Sequence, residues 1–228
     1  MKTKIALLAS TAIAAFALAA PVQAAGWYVS VLGGGNWNDD HSFFAATDTT
    51  VSADTLTWSS DNDTGFVVGG AVGMSFSQVA SGLRAEVEVA YRQSNADGAW
   101  TTFTSIGGVS SGLLDYDFSN FSVLANAWYD FDIGGFKPYL GGGLGWAHAE
   151  ADGDFTTGIP GPFEFEDDGF AWQLGAGINF DISPNVKLGV GYRYFDGPDI
   201  AVSGPVSFAT GDLDNENHSV LVNVTFGM

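Results

Sequence analysis

Cysteine is missing altogether from the 228 residues, so no disulfide framework holds this chain together. Basic residues are nearly missing too: 7 Lys and Arg stand against 26 Asp and Glu. A chain without a basic face is excluded as a nucleic-acid binder. Beyond the first 24 residues there is no apolar run of about 18 residues, the minimum for a membrane-crossing helix. That absence leaves one way across a bilayer open, because a barrel strand needs only about 9–11 tilted residues and shows lipid only its alternate side chains.

What is present begins with an export signal. Lys2 and Lys4 form a short basic region, Ile5 to Ala20 an apolar run, and Val22-Gln23-Ala24 a small-x-small cleavage site before Ala25. The expected division is a signal peptide over 1–24 and one domain over 25–228. Removing the signal leaves Arg84, Arg92, Lys137, Lys187 and Arg193 against the 26 acids, a formal charge of −21.

Eight segments then show two-residue alternation. Their apolar rows are Trp27 to Gly33, Phe66 to Phe76, Leu83 to Tyr91, Phe121 to Phe131, Leu140 to Trp146, Phe170 to Phe180, Leu188 to Tyr194 and Val220 to Phe226. The third is the cleanest, with Arg84, Glu86, Glu88 and Arg92 on one face and no charge on the other. Short joins are expected at Ser77 to Gly82, Asp132 to Gly135 and Asp181 to Asn185. Long loops are expected at Trp37 to Asn62, Asn95 to Tyr116, Glu150 to Asp167 and Gly197 to Asn215. Alternating short and long connections are those of a membrane barrel with periplasmic turns and extracellular loops, which places both termini on the periplasmic side.

Aromatic residues of the apolar rows sort by depth. Phe66, Tyr91, Phe121, Trp146, Trp172, Tyr192 and Tyr194 fall at loop-side ends, and Trp27, Phe76, Tyr129, Phe131, Phe180 and Phe226 at turn-side ends. Rings with an apolar body and a wet edge favour the two headgroup regions, so two girdles are expected. Size decides which row faces out. The lumen of an eight-strand barrel is just filled by side chains, and the apolar rows carry too many rings for it, while the other rows are rich in Gly, Ala, Ser and Asn. The predicted fold is all-β: an eight-stranded antiparallel up-and-down transmembrane β-barrel.

At Leu83 to Arg92, at Lys137-Pro138-Tyr139-Leu140-Gly141-Gly142-Gly143-Leu144-Gly145-Trp146, and at Gly175 to Tyr194 with its Gly191-Tyr192-Arg193-Tyr194 ending, the sequence resembles the small outer-membrane β-barrel proteins of Gram-negative bacteria, the porin-family and surface-antigen proteins related to the transmembrane domain of OmpA. The resemblance covers essentially the whole mature chain and speaks to the fold rather than to a task. It implies residence in the outer membrane among its lipid and lipopolysaccharide, with delivery by periplasmic chaperones and the barrel-assembly machinery. Two features depart from the pattern. Full-length OmpA-type proteins continue into a peptidoglycan-binding domain, which is not expected here, and Phe226 is followed by Gly227 and Met228, where many relatives end on an aromatic residue.

Inside the barrel, Arg84, Glu86, Glu88, Arg92, Lys187 and Arg193 are expected to form an ion-pair network, because a lumenal charge must be paired or wet. Counting from the strand starts sets Glu86 and Glu88 near Gly189 and Gly191, with Lys187 below and Arg193 above. A plug, a narrow gated path and separately solvated charges all remain open. The acids of Glu150 to Asp168 read as a solvated surface or as a divalent-cation bridge to lipopolysaccharide. His148 and His218-Ser219 leave a His-Ser-acid group open, and His41 reads as loop. Gly33-Gly34-Gly35 and Gly141-Gly142-Gly143 precede no helix and are not phosphate loops. The overall reading is a structural, surface-exposed protein with a side-chain-filled lumen, no enzyme, no cofactor and no metal. A narrow diffusion channel and an adhesin or receptor are the alternatives, and the oligomeric state is open.

Overall fold

A computed structural model describes residues 26–38, 41–49, 52–62, 64–76, 80–103, 109–155, 161–202 and 211–227. The expected signal over 1–24 lies outside the described residues. Twelve strands are assigned in the described residues: β1 Trp27–Asn38, β2 His41–Thr49, β3 Ser52–Asn62, β4 Gly65–Ser75, β5 Leu83–Phe103, β6 Val109–Asp130, β7 Lys137–Phe155, β8 Gly161–Ser183, β9 Val186–Asp196, β10 Ile200–Val202, β11 Gly211–Leu213 and β12 Glu216–Phe226.

Eight of these close a ring. The order β1-β4-β5-β6-β7-β8-β9-β12 returns to β1 with antiparallel pairing throughout, sealed by Val29 opposite Phe226 at one end and Asn38 opposite Asn217 at the other. Closure matters because hydrocarbon offers no hydrogen bonds to a bare strand edge. β2 and β3 continue the ring upward, while β10 and β11 pair with each other in a separate two-stranded sheet. β2 pairs with β3 in the register that β1 holds with β4: Asn36 faces Gly65, and five residues on, His41 faces Ser60. β3 then pairs with the outer half of β5, Asn62 opposite Ala96.

Three of the four long loops expected from the sequence are therefore largely strand, the fourth, Gly197 to Asn215, carries only β10 and β11 in its described residues, and His41 lies in β2 rather than in a loop. β5 and β6 pair without a break from Leu83 opposite Tyr129 to Phe103 opposite Val109. β7 and β8 pair out to Phe155 opposite Gly161. At about 3.3 Å per residue and about 40° of tilt, the 22 residues of β6 rise roughly 55 Å, twice an apolar band of about 25 Å. The wall is therefore longer than such a band needs, and its outer half forms a collar.

At the other end the joins are short. Residues 131–136 link β6 to β7, with Gly134 at φ 94 and its N–H donating to Asp132 Oδ1 at 3.3 Å. Only Pro184 and Asn185 separate β8 from β9.

Pleating puts alternate residues on opposite faces, and the faces sort as the residue sizes require. The outward row of the ring carries Val87, Leu140, Leu144, Phe170, Leu174, Val190 and Val222, each 46% or more exposed. The girdle rings Trp27, Phe66, Tyr129, Trp146, Phe180, Tyr192 and Phe226 are exposed on the same face, while Phe76, Tyr91 and Trp172 are half-buried. The inward row is not uniformly small, however. Tyr28, Trp128, Tyr139 and Phe195 point into the lumen and are buried.

Candidate functional site

The lumen is the site that the fold positions. On β5 the inward row runs Arg84, Glu86, Glu88, Ala90, Arg92, all buried. Glu86 is held from three sides: Tyr28 Oη and Trp128 Nε1 each donate to it at 2.7 Å, and Arg84 Nη1 lies 3.5 Å away. Glu88 accepts from Asn126 Nδ2 and Gln173 Nε2, each at 3.1 Å, and faces Arg193 Nη1 at 3.6 Å. Arg84 also donates to Asp130 Oδ2 at 2.9 Å. Arg92 donates to Ser122 Oγ at 2.9 Å and to Gln173 Oε1 at 3.5 Å, so Gln173 relays it to Glu88.

Three guanidiniums, Arg84, Arg92 and Arg193, thus meet three carboxylates, Glu86, Glu88 and Asp130, and the layer is neutral in sum. Their flat faces rest on rings: Arg193 over Trp128 at 3.9 Å, Arg92 over Phe195 at 4.1 Å, Arg84 over Tyr139 at 5.2 Å. A guanidinium can stack through its face while it donates through its edge. Space for this bulk comes from glycine on adjoining strands. A Cβ at Gly175 would sit 2.5 Å from Arg193 Cδ, one at Gly177 2.6 Å from Tyr139 Cζ, and one at Gly141 2.6 Å from Trp128 Cε3.

Of the six charges expected to share the lumen, Arg84, Glu86, Glu88, Arg92 and Arg193 lie in this belt. Lys187 does not reach the glutamates. It faces Asp181 at 3.8 Å at the short-turn end of the barrel, where Lys137 also binds Asp181 at 3.0 Å. The strand-start count ignored stagger: Glu88 is level with Arg193, not with the glycines below it. Asp130, Tyr28, Asn126, Trp128, Tyr139 and Gln173 were not singled out. Their signal was available in the hairpin registers, where Asn126 faces Gly143, Trp128 faces Gly141 and Tyr139 faces Gly177.

The histidine readings separate. His218 lies on the outer face, stacked on Trp37 at 5.9 Å and bonded to Tyr192 Oη, whereas Ser219 is buried in the lumen and donates to Asn36. Neighbours on one strand point apart, so His218 and Ser219 form no dyad. His148 stacks on Trp146. Acids of the collar meet across strands, with Asp115 between Asp97 and Asp154, and Asp152 between Asp117 and Glu164. They line an outer cleft of about 610 Å³, yet among the described residues no three acids or histidines come together as a metal site.

A family model described as the outer membrane protein beta-barrel domain matches residues 5–226. The chain belongs to this family. Membership puts it in the outer membrane, consistent with the exposed apolar band and the closed ring. Within the family it is similar to an outer membrane protein of Gluconacetobacter diazotrophicus, 32% identical over 219 residues, 87% of this chain and 55% of that protein. An uncharacterized protein of Brucella abortus is 31% identical over 106 residues, 43% of this chain and 36% of its own length. The chain thus spans about a third to a half of these relatives. Among solved structures, the outer membrane protein OprG from Pseudomonas aeruginosa shares the fold with a TM-score of 0.54 at 16% identity, over 90% of this chain and 97% of that one.

Proposed function

We propose that this chain is a structural, surface-presenting barrel of the outer membrane whose lumen is closed to ions by its own side chains. The observation that carries the reading is the belt: three guanidiniums and three carboxylates cancel, and Tyr28, Trp128, Tyr139 and Phe195 fill the cross-section between them. An ion entering this layer would have to displace bonds that compensate buried charge, at several kcal/mol per group uncovered. Lipid and lipopolysaccharide cover the outward row, and chaperones with the barrel-assembly machinery deliver the chain.

The test is single-channel recording in planar bilayers. The native barrel should stay silent, and Glu88→Ala, which frees Arg193 and Gln173, should raise conductance or make it unstable. Large steady currents through the native barrel would favour a narrow diffusion channel instead. A second reading, a receptor working through the collar, is favoured by the facing acids Asp97, Asp115 and Asp154, because like charges directly opposite cost sheet stability without serving closure. Replacing the collar hairpins and assaying binding of cationic ligands separates the two.

A further inference from the structure

Above the belt the lumen changes character. Inward positions carry Asn36, Asn38, Ser94, Asn217 and Ser219, all buried. They are linked in a chain: Ser219 Oγ donates to Asn36 Oδ1 at 2.8 Å, Asn36 Nδ2 to Asn217 Oδ1 at 3.0 Å, and Ser94 Oγ to Asn38 Oδ1 at 3.2 Å. This layer does not satisfy itself. Among the described residues, Nδ2 of Asn38, Nδ2 of Asn215, both polar atoms of Asn120 and Nε of Arg92, which borders the belt, are buried without a hydrogen-bond partner, as are Nε and Nη1 of Arg193 in the belt itself. Arg92 and Asn120 stand directly opposite in the β5–β6 register, and Ser94, bonded to Asn38, is the next inward residue on β5. Several orphans therefore share one neighbourhood.

The layer is also enclosed. Below it, Arg92 lies flat on Phe195 at 4.1 Å, over an apolar group with Leu124, Ala147 and Ala171. Above it the same strands turn apolar: Ala96 follows Ser94, and Phe118 and Tyr116 follow Asn120. Ile200 of β10 is wholly buried among Ala96, Tyr116, Phe118, Ala149 and Ala151. The hydrogen-bonded ring forms the side wall.

We propose that this space is a sealed polar chamber, a binding site for water and small uncharged hydrogen-bonding molecules, roofed by Ile200. Four unpartnered N–H groups and one C=O select an occupant that both accepts and donates. Charge selects a neutral one, because the belt below already cancels and an ion would leave an excess in low dielectric. The inference rests on the lumenal reading given above, since the small polar row must face inward.

A chain without cysteine makes the test direct. Asn120→Cys supplies a single thiol in the chamber, and methyl methanethiosulfonate reports on it by forming a mixed disulfide and releasing methanesulfinate. The thiolate that attacks forms only where it is hydrated and reached. In the folded barrel in detergent, with folding read by heat-modifiable migration, labelling should be slow with Ile200 present and about tenfold faster or more with Ile200→Gly. Asn38→Cys should behave alike, and Ile200→Ala serves if the glycine variant does not fold. Equal rates with and without Ile200, whether fast or absent, would overturn the roofed, hydrated chamber. Asn126→Cys, in the belt, should stay protected throughout. Its rapid labelling with Ile200 in place would overturn the closed belt and with it the floor of the chamber.

Discussion

Two halves of the same strands obey opposite rules. In the membrane half of β8, Phe170, Trp172, Leu174 and Ile178 face out while Gln173 and Asn179 face in. In its collar half, Glu164, Glu166 and Asp168 face out while Phe163 pairs its ring with Tyr116 and packs with Phe165 against the lumenal cluster. β7 does the same, passing from Leu144 and Trp146 outside to Glu150 and Asp152 outside, with Ala149 and Ala151 buried inside. The backbone parity never slips across the change, since β7 and β8 keep one register from Lys137 opposite Asn179 to Phe155 opposite Gly161. What inverts is the medium. Hydrocarbon outside calls for an apolar exterior, and water outside calls for an acidic exterior with the apolar groups sheltered within. The level of Trp146 and Phe170 marks the boundary on the wall itself.

The sharpest way to break this comparison is to damage the interior of the membrane half. Glu86→Leu leaves Tyr28, Trp128 and Arg84 without their shared acceptor and should cost about 3–5 kcal/mol in urea unfolding from lipid; a loss below about 1 kcal/mol would show that the belt is packing and not pairing. Next comes the exterior. Val222→Arg, on the lipid-facing row, should cost about 2–4 kcal/mol if it lies near the midplane, and arginine at inward Asn223 should cost less. The same arginine at Asp115 in the collar should cost nothing, and equal penalties at the two outward sites would erase the distinction between the halves. Asp115→Asn removes the middle of three facing acids and should stabilise the collar by about 0.2–1 kcal/mol, read as slower proteolysis of the β5–β6 hairpin.

The smallest effect is in pH. Asp196, at the long-hairpin end of β9, has its carboxyl raised above the ordinary aspartate range by burial and then by Glu216, Asp199 and Asp214. A raised carboxyl holds its proton more tightly when folded. Its contribution is therefore present below the unfolded value and lost as pH rises through the folded one. Exchange at the Gly197 amide, which donates to the Asn215 carbonyl at 3.0 Å, should be most protected in acid, after correction for intrinsic rates. A profile flat across that range would count against it.

The membrane half was legible because its alternation has one phase. Leu83 to Arg92 alone fixes which side is which, and the eight apolar rows fall on ring strands, with Phe76 and Phe131 one residue past the ends of β4 and β6. The collar looks like loop in the sequence because the phase flips: in Phe163-Glu164-Phe165-Glu166 the odd positions are apolar, and from Phe170 onward the even ones are. A pattern reader takes such a flip as a break, although the chain runs on. The belt was legible in its charges but not in its heights, since stagger between strands is set by closure of the whole ring. Lys187 failed for that reason, and Arg193 met Glu88 rather than lying above it.

Because β12 is the partner of both β1 and β9, chain order carries a requirement for assembly. Until Glu216 to Phe226 is in place, two adjoining strands present unbonded amides instead of none, so a chain cut short by a dozen residues is not a slightly smaller barrel but an open sheet. Closure of this wall thus turns on one pairing, that of β12 with β1.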